Sequence, residues 1–262
     1  MDTNLTHDGR IDTAPAPVRT ITAADLDWAL KEGWNDFKEK RGDILLIPFI
    51  YAVVGFLASV FAFNSELFPL IFPLAAGFAL VGPIAAAGFY ELARRREARI
   101  DASWWHFLDP LKGRSRLPLA MLTGMLAVIF VAWMAAAWLI YQETLGKLGP
   151  DTPSTFANAL TTGPGLTMIV VGNLVGALFA LLTLAVAAFS FPMVVDRPVD
   201  PLKAVATSVA AFRASPGTMI RWGVTVALVL LAGAIPLFVG LVVALPVLGY
   251  ATWHLYTRVV AR

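Results

Sequence analysis

Cysteine is missing from all 262 residues. Its absence excludes a disulfide framework, a thiolate metal site and an iron–sulfur cluster, and leaves the redox compartment unread. Histidine is scarce: only His7, His106 and His254 are present. Haem–copper chemistry needs several histidines inside a membrane as haem and copper ligands. Three are too few, and they stand in a polar N-terminal stretch, an expected loop and the end of an expected helix. No phosphate-cradling glycine loop, nucleophile elbow, paired-histidine zinc motif or calcium loop occurs. The chain therefore offers no catalytic residue, no metal ligand set and no cofactor site, and reads as non-enzymatic. Charge is sparse as well: 15% of residues are charged, where about 25% is usual for soluble domains. A formal net charge of +2 could suggest nucleic acid, but the bases lie in short segments beside apolar runs, a pattern that membrane topology explains better.

What is abundant is apolar sequence. Hydrophobic residues make up 58% of the chain, and mean hydropathy is +0.71. The organising stretch is an uncharged run from Leu67 to Tyr90, closed by Glu91, Arg94, Arg95, Arg96 and Arg99. A run of that length crosses a ~30 Å hydrocarbon core at about 1.5 Å per residue. The arginine block marks its inner end. Runs of similar character predict spans at about 44–63, 67–91, 117–141, 166–191, 218–235 and 237–257. The last two come from one uncharged stretch, Trp222 to Tyr256, which is too long for a single helix and is expected to turn near Gly233–Pro236. With six spans and both termini inside, nineteen of the twenty Lys and Arg fall inside and Lys147 alone falls outside. Five spans fit the positive-inside bias less well.

Between the spans lie amphipathic and interfacial pieces. Residues 1–19 are polar, proline-containing and aperiodic, and are expected to be a disordered cytoplasmic tail; 20–262 form a single membrane domain. Thr22-x-x-Asp25 resembles a capping box. Beyond it Leu26, Leu30, Gly33, Trp34 and Phe37 recur at helical spacing, predicting an amphipathic helix over 22–41 at the inner interface. In 99–116, Trp104 and Trp105 stand beside Arg99, Lys112, Arg114 and Arg116 and read, with Arg94, Arg95 and Arg96, as interfacial anchors. Asp200-Pro201 is a cap followed by a first-turn proline, opening a stripe of Leu202, Val205, Val209 and Phe212 closed by Pro216-Gly217; Pro192 is expected to end the fourth span. No cleavable signal peptide is visible, since the first apolar run begins at Ile44. A weak echo aligns 77–95 with 240–258, matching Pro83 to Pro246 and Arg95 to Arg258, with Ala29 and Phe37 opposite Ala204 and Phe212.

Few residues invite a functional reading. Glu91 can pair with Arg94 or Arg95 one turn on, or snorkel to the inner interface. His254 can reach the headgroups or act as a ligand. Gly172-x-x-x-Gly176, with Asn173 inside it, is a small-residue face on which a neighbouring helix can pack and the amide can cross to it; solute coordination is the alternative. No carboxylate falls at mid-membrane, which argues against an ion-coupled pump.

The stretches GWNDFKEKRGDILL (33–46), FPLAAGFALVGPIAAAGFYELARRRE (72–97), SFPMVVDRPVDPLKAVATSV (190–209) and LPVLGYATWHLYTRVV (245–260) resemble a bacterial family of integral membrane proteins defined by a domain of unknown function. Its members often carry the label cytochrome c oxidase subunit I. The resemblance implies a multi-span inner-membrane protein and supplies no catalytic residues. The expectation is an all-α polytopic helix bundle of about six transmembrane helices in hairpins, both termini inside, in the bacterial inner (cytoplasmic) membrane. Its expected role is a non-enzymatic accessory, scaffold or assembly factor. A small-solute channel or carrier is the alternative, and an oxidase-associated subunit without its own haem or copper is the third reading. Expected partners are the lipid bilayer and other membrane proteins or a second copy of the chain, not nucleic acid.

Overall fold

The computed structural model describes residues 13–39, 82–148 and 153–262, together with five helical positions, Phe49, Val53, Phe56, Leu57 and Val60. The first expected span, its outer turn at Asn64-Ser65-Glu66 and the second span before Gly82 otherwise lie outside the described residues, as do 1–12 and 149–152. The five isolated positions are exposed.

Among the described residues the architecture is helical. Helix α1 (Ala23–Glu39) is followed by α2 (Gly82–Glu97), a 3-10 turn (Trp104–Leu108), α3 (Asp109–Lys112) and α4 (Arg116–Glu143). After a second 3-10 turn (Leu145–Leu148) come α5 (Pro153–Ala159), α6 (Gly163–Ala187), α7 (Ser190–Asp196), α8 (Pro201–Ala214), α9 (Pro216–Ala234) and α10 (Leu241–Val259). Among the described residues three stretches are long and apolar enough to cross a membrane: α4, α6 with α7, and α9. These coincide with the expected third, fourth and fifth spans. The expected sixth appears as α10, which is not among those three. Leu255 and Tyr256 at its C-terminal end are fully buried, and α1, α2 and α9 pack around the helix.

The α6–α7 junction corrects the expectation for Pro192. The helix breaks earlier, at Ala188 and Phe189, and Pro192 lies inside α7. Proline has no N–H, so it cannot bond the Ala188 carbonyl four residues back, and the ladder is interrupted there. The Phe189 N–H is taken up by Ser208 Oγ at 3.1 Å. Downstream, Asp200 caps α8 as expected, accepting the Leu202 N–H at 2.8 Å. The buried face of α8 is not the expected stripe, however. It is Ala204, Thr207, Ser208 and Ala211, while Leu202 is exposed and Val205 and Phe212 are half-buried. Small residues go inward because α8 lies tightly on α6 and α7.

The long apolar stretch after Trp222 does split into two helices. Ile235–Gly240 makes the turn, with Leu237 and Phe238 at positive φ of 51° and 66°. Gly233 and Gly240 touch: a Cβ on Gly240 would sit 2.7 Å from the Gly233 Cα. The outer loop expected over 142–163 contains helical turns of its own, including α5.

The N-terminal segment also departs from expectation. Residues 13–19 are not free: Val18 bridges Val260 in an isolated antiparallel pair. The Arg19 N–H donates to the Val259 carbonyl at 2.9 Å, and the Ala261 N–H to the Pro17 carbonyl at 3.0 Å. Prolines suit this edge, because Pro17 is used only as an acceptor. The two ends of the described chain are thereby clasped.

Helix α1 begins with half a capping box. The Thr22 N–H donates to Asp25 Oδ2 at 3.0 Å, while the Thr22 hydroxyl donates to the same oxygen instead of accepting the Asp25 N–H. Its inward face is Asp25, Leu26, Ala29, Gly33, Asp36 and Phe37. That face docks on α10. Asp25 faces Arg258 and Gly33 faces Val247 and Ala251, so the helices run antiparallel. A Cβ on Gly33 would meet the Val247 carbonyl oxygen at 2.6 Å. Helix α2 lies against α10 in the same manner, Gly249 being seated on Phe89, where a Cβ would be 2.7 Å from the Phe89 Cβ. The two arms of the sequence echo, α2 and α10, are thus packed on each other, and Ala29 and Ala204 are both fully buried.

Candidate functional site: an ion-paired junction

Charged residues of α1, α2, α7 and α10 converge with residues 17–19 and 259–262 at one pole of the bundle. Helical spacing places Arg94 and Arg95 three and four residues beyond Glu91, on its own face. The Glu91 carboxylate is buried. It accepts from Arg94 Nε at 2.8 Å and Nη2 at 2.6 Å, and from Arg95 Nε at 2.8 Å. The hydrogen bonds to Glu91 raise the Arg94 pKa further. Glu91 is therefore a paired carboxylate facing inward, and the snorkelling alternative is set aside.

Arg95 reaches on to Asp109 Oδ2 at 3.0 Å and the Asp101 carbonyl at 3.0 Å. His106 lies between the same two acids, Nδ1 at 2.6 Å from Asp109 and Nε2 at 3.2 Å from Asp101. Asp101 is held below the usual carboxylate range, first by the Ser103 hydroxyl and N–H and then by His106. These bonds staple the turn carrying Trp104 and Trp105 to the end of α2. The two indoles stack with centroids 3.6 Å apart.

Arg96 turns the other way, to Asp36 Oδ1 at 2.8 Å and to Glu39, both on α1. The second Asp36 oxygen meets His254 Nε2 at 2.9 Å. His254 thus faces α1 instead of the headgroups, and Trp28 lies edge-on to its ring. Arg258 stacks 3.5 Å over Trp28 and donates to Asp25 at 2.9 Å. Arg262 closes the ring, donating to Glu97 at 2.6 Å and pairing with Asp196 at 3.3 Å. Tyr256 and Trp253 donate to the same two carboxylates.

Chemically this is a set of clasps. The acids named here each hold a cation or an N–H or O–H donor, so none is left as a free base or nucleophile. Among the described residues no group of three or more His, Asp or Glu is disposed to hold a metal. A cavity of about 10 Å³ between Asp36, Leu92, Arg96, Ala102 and Tyr250 has room for about one water.

The Gly172–Asn173–Gly176 face is placed differently from expectation. Gly176 meets the Trp133 ring of α4, where a Cβ would be 3.0 Å away, but Gly172 faces open space. Asn173 is exposed, and its Nδ2 donates to the Ile169 carbonyl at 2.7 Å on its own helix. The amide satisfies itself one turn back, so no interhelical bond is needed. Sequence reasoning passed over Asp36 and Gly33 as site residues; the signal available was an acid and a glycine on the apolar face of 22–41.

Helices of this length and apolarity, closed at one pole by paired charges, define a helical integral membrane protein. Residues 71–196 match the family described as "Predicted integral membrane protein (DUF2189)". The resemblance carried by the ELARRRE stretch is borne out over that segment. It contains the whole Glu91–Arg95–Asp109–His106 staple, whereas Asp36, His254, Arg258 and Arg262 lie outside it. No curated protein and no solved structure matches the chain.

Proposed function

We propose that this protein is a non-enzymatic scaffold or assembly factor of the bacterial inner membrane, with six crossings and both termini in the cytoplasm. The observation that carries the reading is the seat of Gly33 on Val247 and Ala251. It supports a framework in which α1 meets the backbone of α10 directly and α2 seats the Phe89 side chain on Gly249 of the same helix. Around that framework α4, α6 and α9 present uncovered apolar surface; on α6, Leu166, Val170, Leu174 and Leu178 recur every fourth residue and are all exposed. Such a stripe suits lipid or a partner helix. Pairing of Val18 with Val260 supports an even number of crossings, because it joins both ends at one pole. The ion-paired junction at that pole supports its cytoplasmic placement through the density of arginines.

The test is a pair of measurements on the full chain. A photo-crosslinking residue in place of Leu178, introduced in the native host, is expected to give discrete adducts with a membrane protein or with a second copy. Purified protein in sealed vesicles is expected to leave ion and small-solute flux at the level of empty vesicles. Solute flux above that level, with lipid adducts only, would replace the scaffold by the channel or carrier.

A further inference from the structure

We infer that the turn 104–108 with the basic segment 112–116 is a contact site for anionic phospholipid headgroups, selecting a negatively charged leaflet over a zwitterionic one. The inference rests on the membrane reading above and adds headgroup selectivity to it. Its starting point is how the segment is wedged. Phe107 is buried edge-on against Phe89, centroids 4.9 Å apart, and its ring occupies the space a Cβ on Gly88 would need. With Phe107 pointing inward, helical geometry turns Trp105, Leu108 and Leu111 outward, and all three are exposed, Trp105 by 67%. Stacking on Trp104 and the His106 staple hold that presentation rigid.

Charge names the occupant. Asp101 and Asp109, the two acids of the segment, are engaged by His106 and Arg95. Lys112 and Arg116 are exposed, and among the described residues neither has a carboxylate within ion-pair distance. Arg114 donates to the Asp196 backbone carbonyl, a neutral acceptor that leaves its charge uncancelled. Three cations in five residues therefore stand beside an outward apolar row. Arg116 is the first residue of α4, and Leu117, 69% exposed, follows it with no linker. The row is thus held at the mouth of a membrane-crossing helix. Apolar side chains at the acyl boundary with Lys and Arg at headgroup level are what an anionic leaflet attracts.

The experiment uses the full chain reconstituted in phosphatidylcholine vesicles containing a minority of either brominated phosphatidylglycerol or brominated phosphatidylcholine. Trp105 emission is obtained by difference from Trp105→Phe, and Trp138 emission by difference from Trp138→Phe. Quenching of Trp105 is expected to be about threefold or more stronger with the brominated anionic lipid. High salt is expected to erase the difference, as is Lys112→Gln/Arg114→Gln/Arg116→Gln. Equal quenching of Trp105 by both lipids would overturn the selectivity and leave the membrane reading intact. Quenching of Trp138 but not Trp105 would remove this face from the bilayer altogether, in favour of an acidic protein partner. Quenching of neither would overturn the membrane reading itself.

Discussion

Asp36 and His254, 218 positions apart in sequence, meet at 2.9 Å. The Asp36 carboxylate also holds Arg96, so one side chain ties α1 to both α2 and α10. Removing it leaves His254 without its carboxylate and Arg96 with Glu39 alone.

Asp36→Leu is therefore expected to destabilise the protein by about 2–4 kcal/mol, somewhat below the ~3–5 kcal/mol for stripping one partner from a fully buried pair, because Arg96 keeps Glu39. Trp28, edge-on to His254, supplies a fluorescence reading of α1 detachment during denaturant titration in detergent. In a double-mutant cycle with Arg96→Gln, the two losses are expected to fall short of additive by about 1 kcal/mol or more. Strict additivity would show that the contact adds nothing.

Glycine positions separate close packing from open space. At Gly33 any side chain meets backbone, the Val247 oxygen at 2.6 Å and the Ala251 nitrogen at 2.7 Å. Backbone cannot swing aside as a flexible side chain can, so Gly33→Leu is expected to unseat α1 and cut accumulation in the membrane severely. Gly172→Leu, which meets nothing within 4 Å, is expected to accumulate normally. Immunoblots of membrane fractions from the two variants check this, and equal levels would discredit the Gly33 seat.

These two glycines show what was and was not legible in the sequence. Uncharged runs made α4, α6 and α9 readable, because bilayer thickness demands length and little else. Asp200-Pro201 was readable because capping is local. Gly172-x-x-x-Gly176 was over-read: small residues permit close approach without compelling it, and Asn173 found its acceptor at Ile169. The junction was half-readable. Glu91 with Arg94 and Arg95 follows from helical spacing, but the acids that meet Arg96, Arg258 and Arg262 come from α1, α2 and α7, and only the folded chain brings those together.

Acid is expected to loosen the start of α1. The Thr22 N–H, the Arg258 guanidinium and the Thr22 hydroxyl, with Arg19 nearby, outweigh the effect of burial and lower Asp25 from 3.8 to about 2. A folded value below the unfolded one means a contribution present above pH 4 and lost as pH falls towards 2. After allowance for solvent screening it amounts to about 1–2 kcal/mol. Wild type is expected to lose more stability than Asp25→Asn over that window, read from Trp28 emission in detergent. Parallel pH profiles for the two proteins would remove Asp25 from the account.

Topology offers the cleanest test, because the chain has no cysteine of its own and any single cysteine is a unique label site. Thr161 is exposed, close before α6, on the side of α4 and α6 remote from the arginine junction. Arg213 is exposed at the end of α8, whose partner segments lead back to that junction: Ala16 donates to Thr207 Oγ1 at 3.0 Å, and Ile21 to Ser215 Oγ at 3.0 Å. With six crossings and both termini inside, Thr161→Cys is expected to react with a membrane-impermeant maleimide in spheroplasts. Arg213→Cys is expected to react only after lysis. Because Val18 and Val260 are paired, a cysteine at Ala261 must behave as Arg213→Cys does. Labelling of Ala261→Cys in intact spheroplasts, with Arg213→Cys protected, would break the even count and the terminal clasp together.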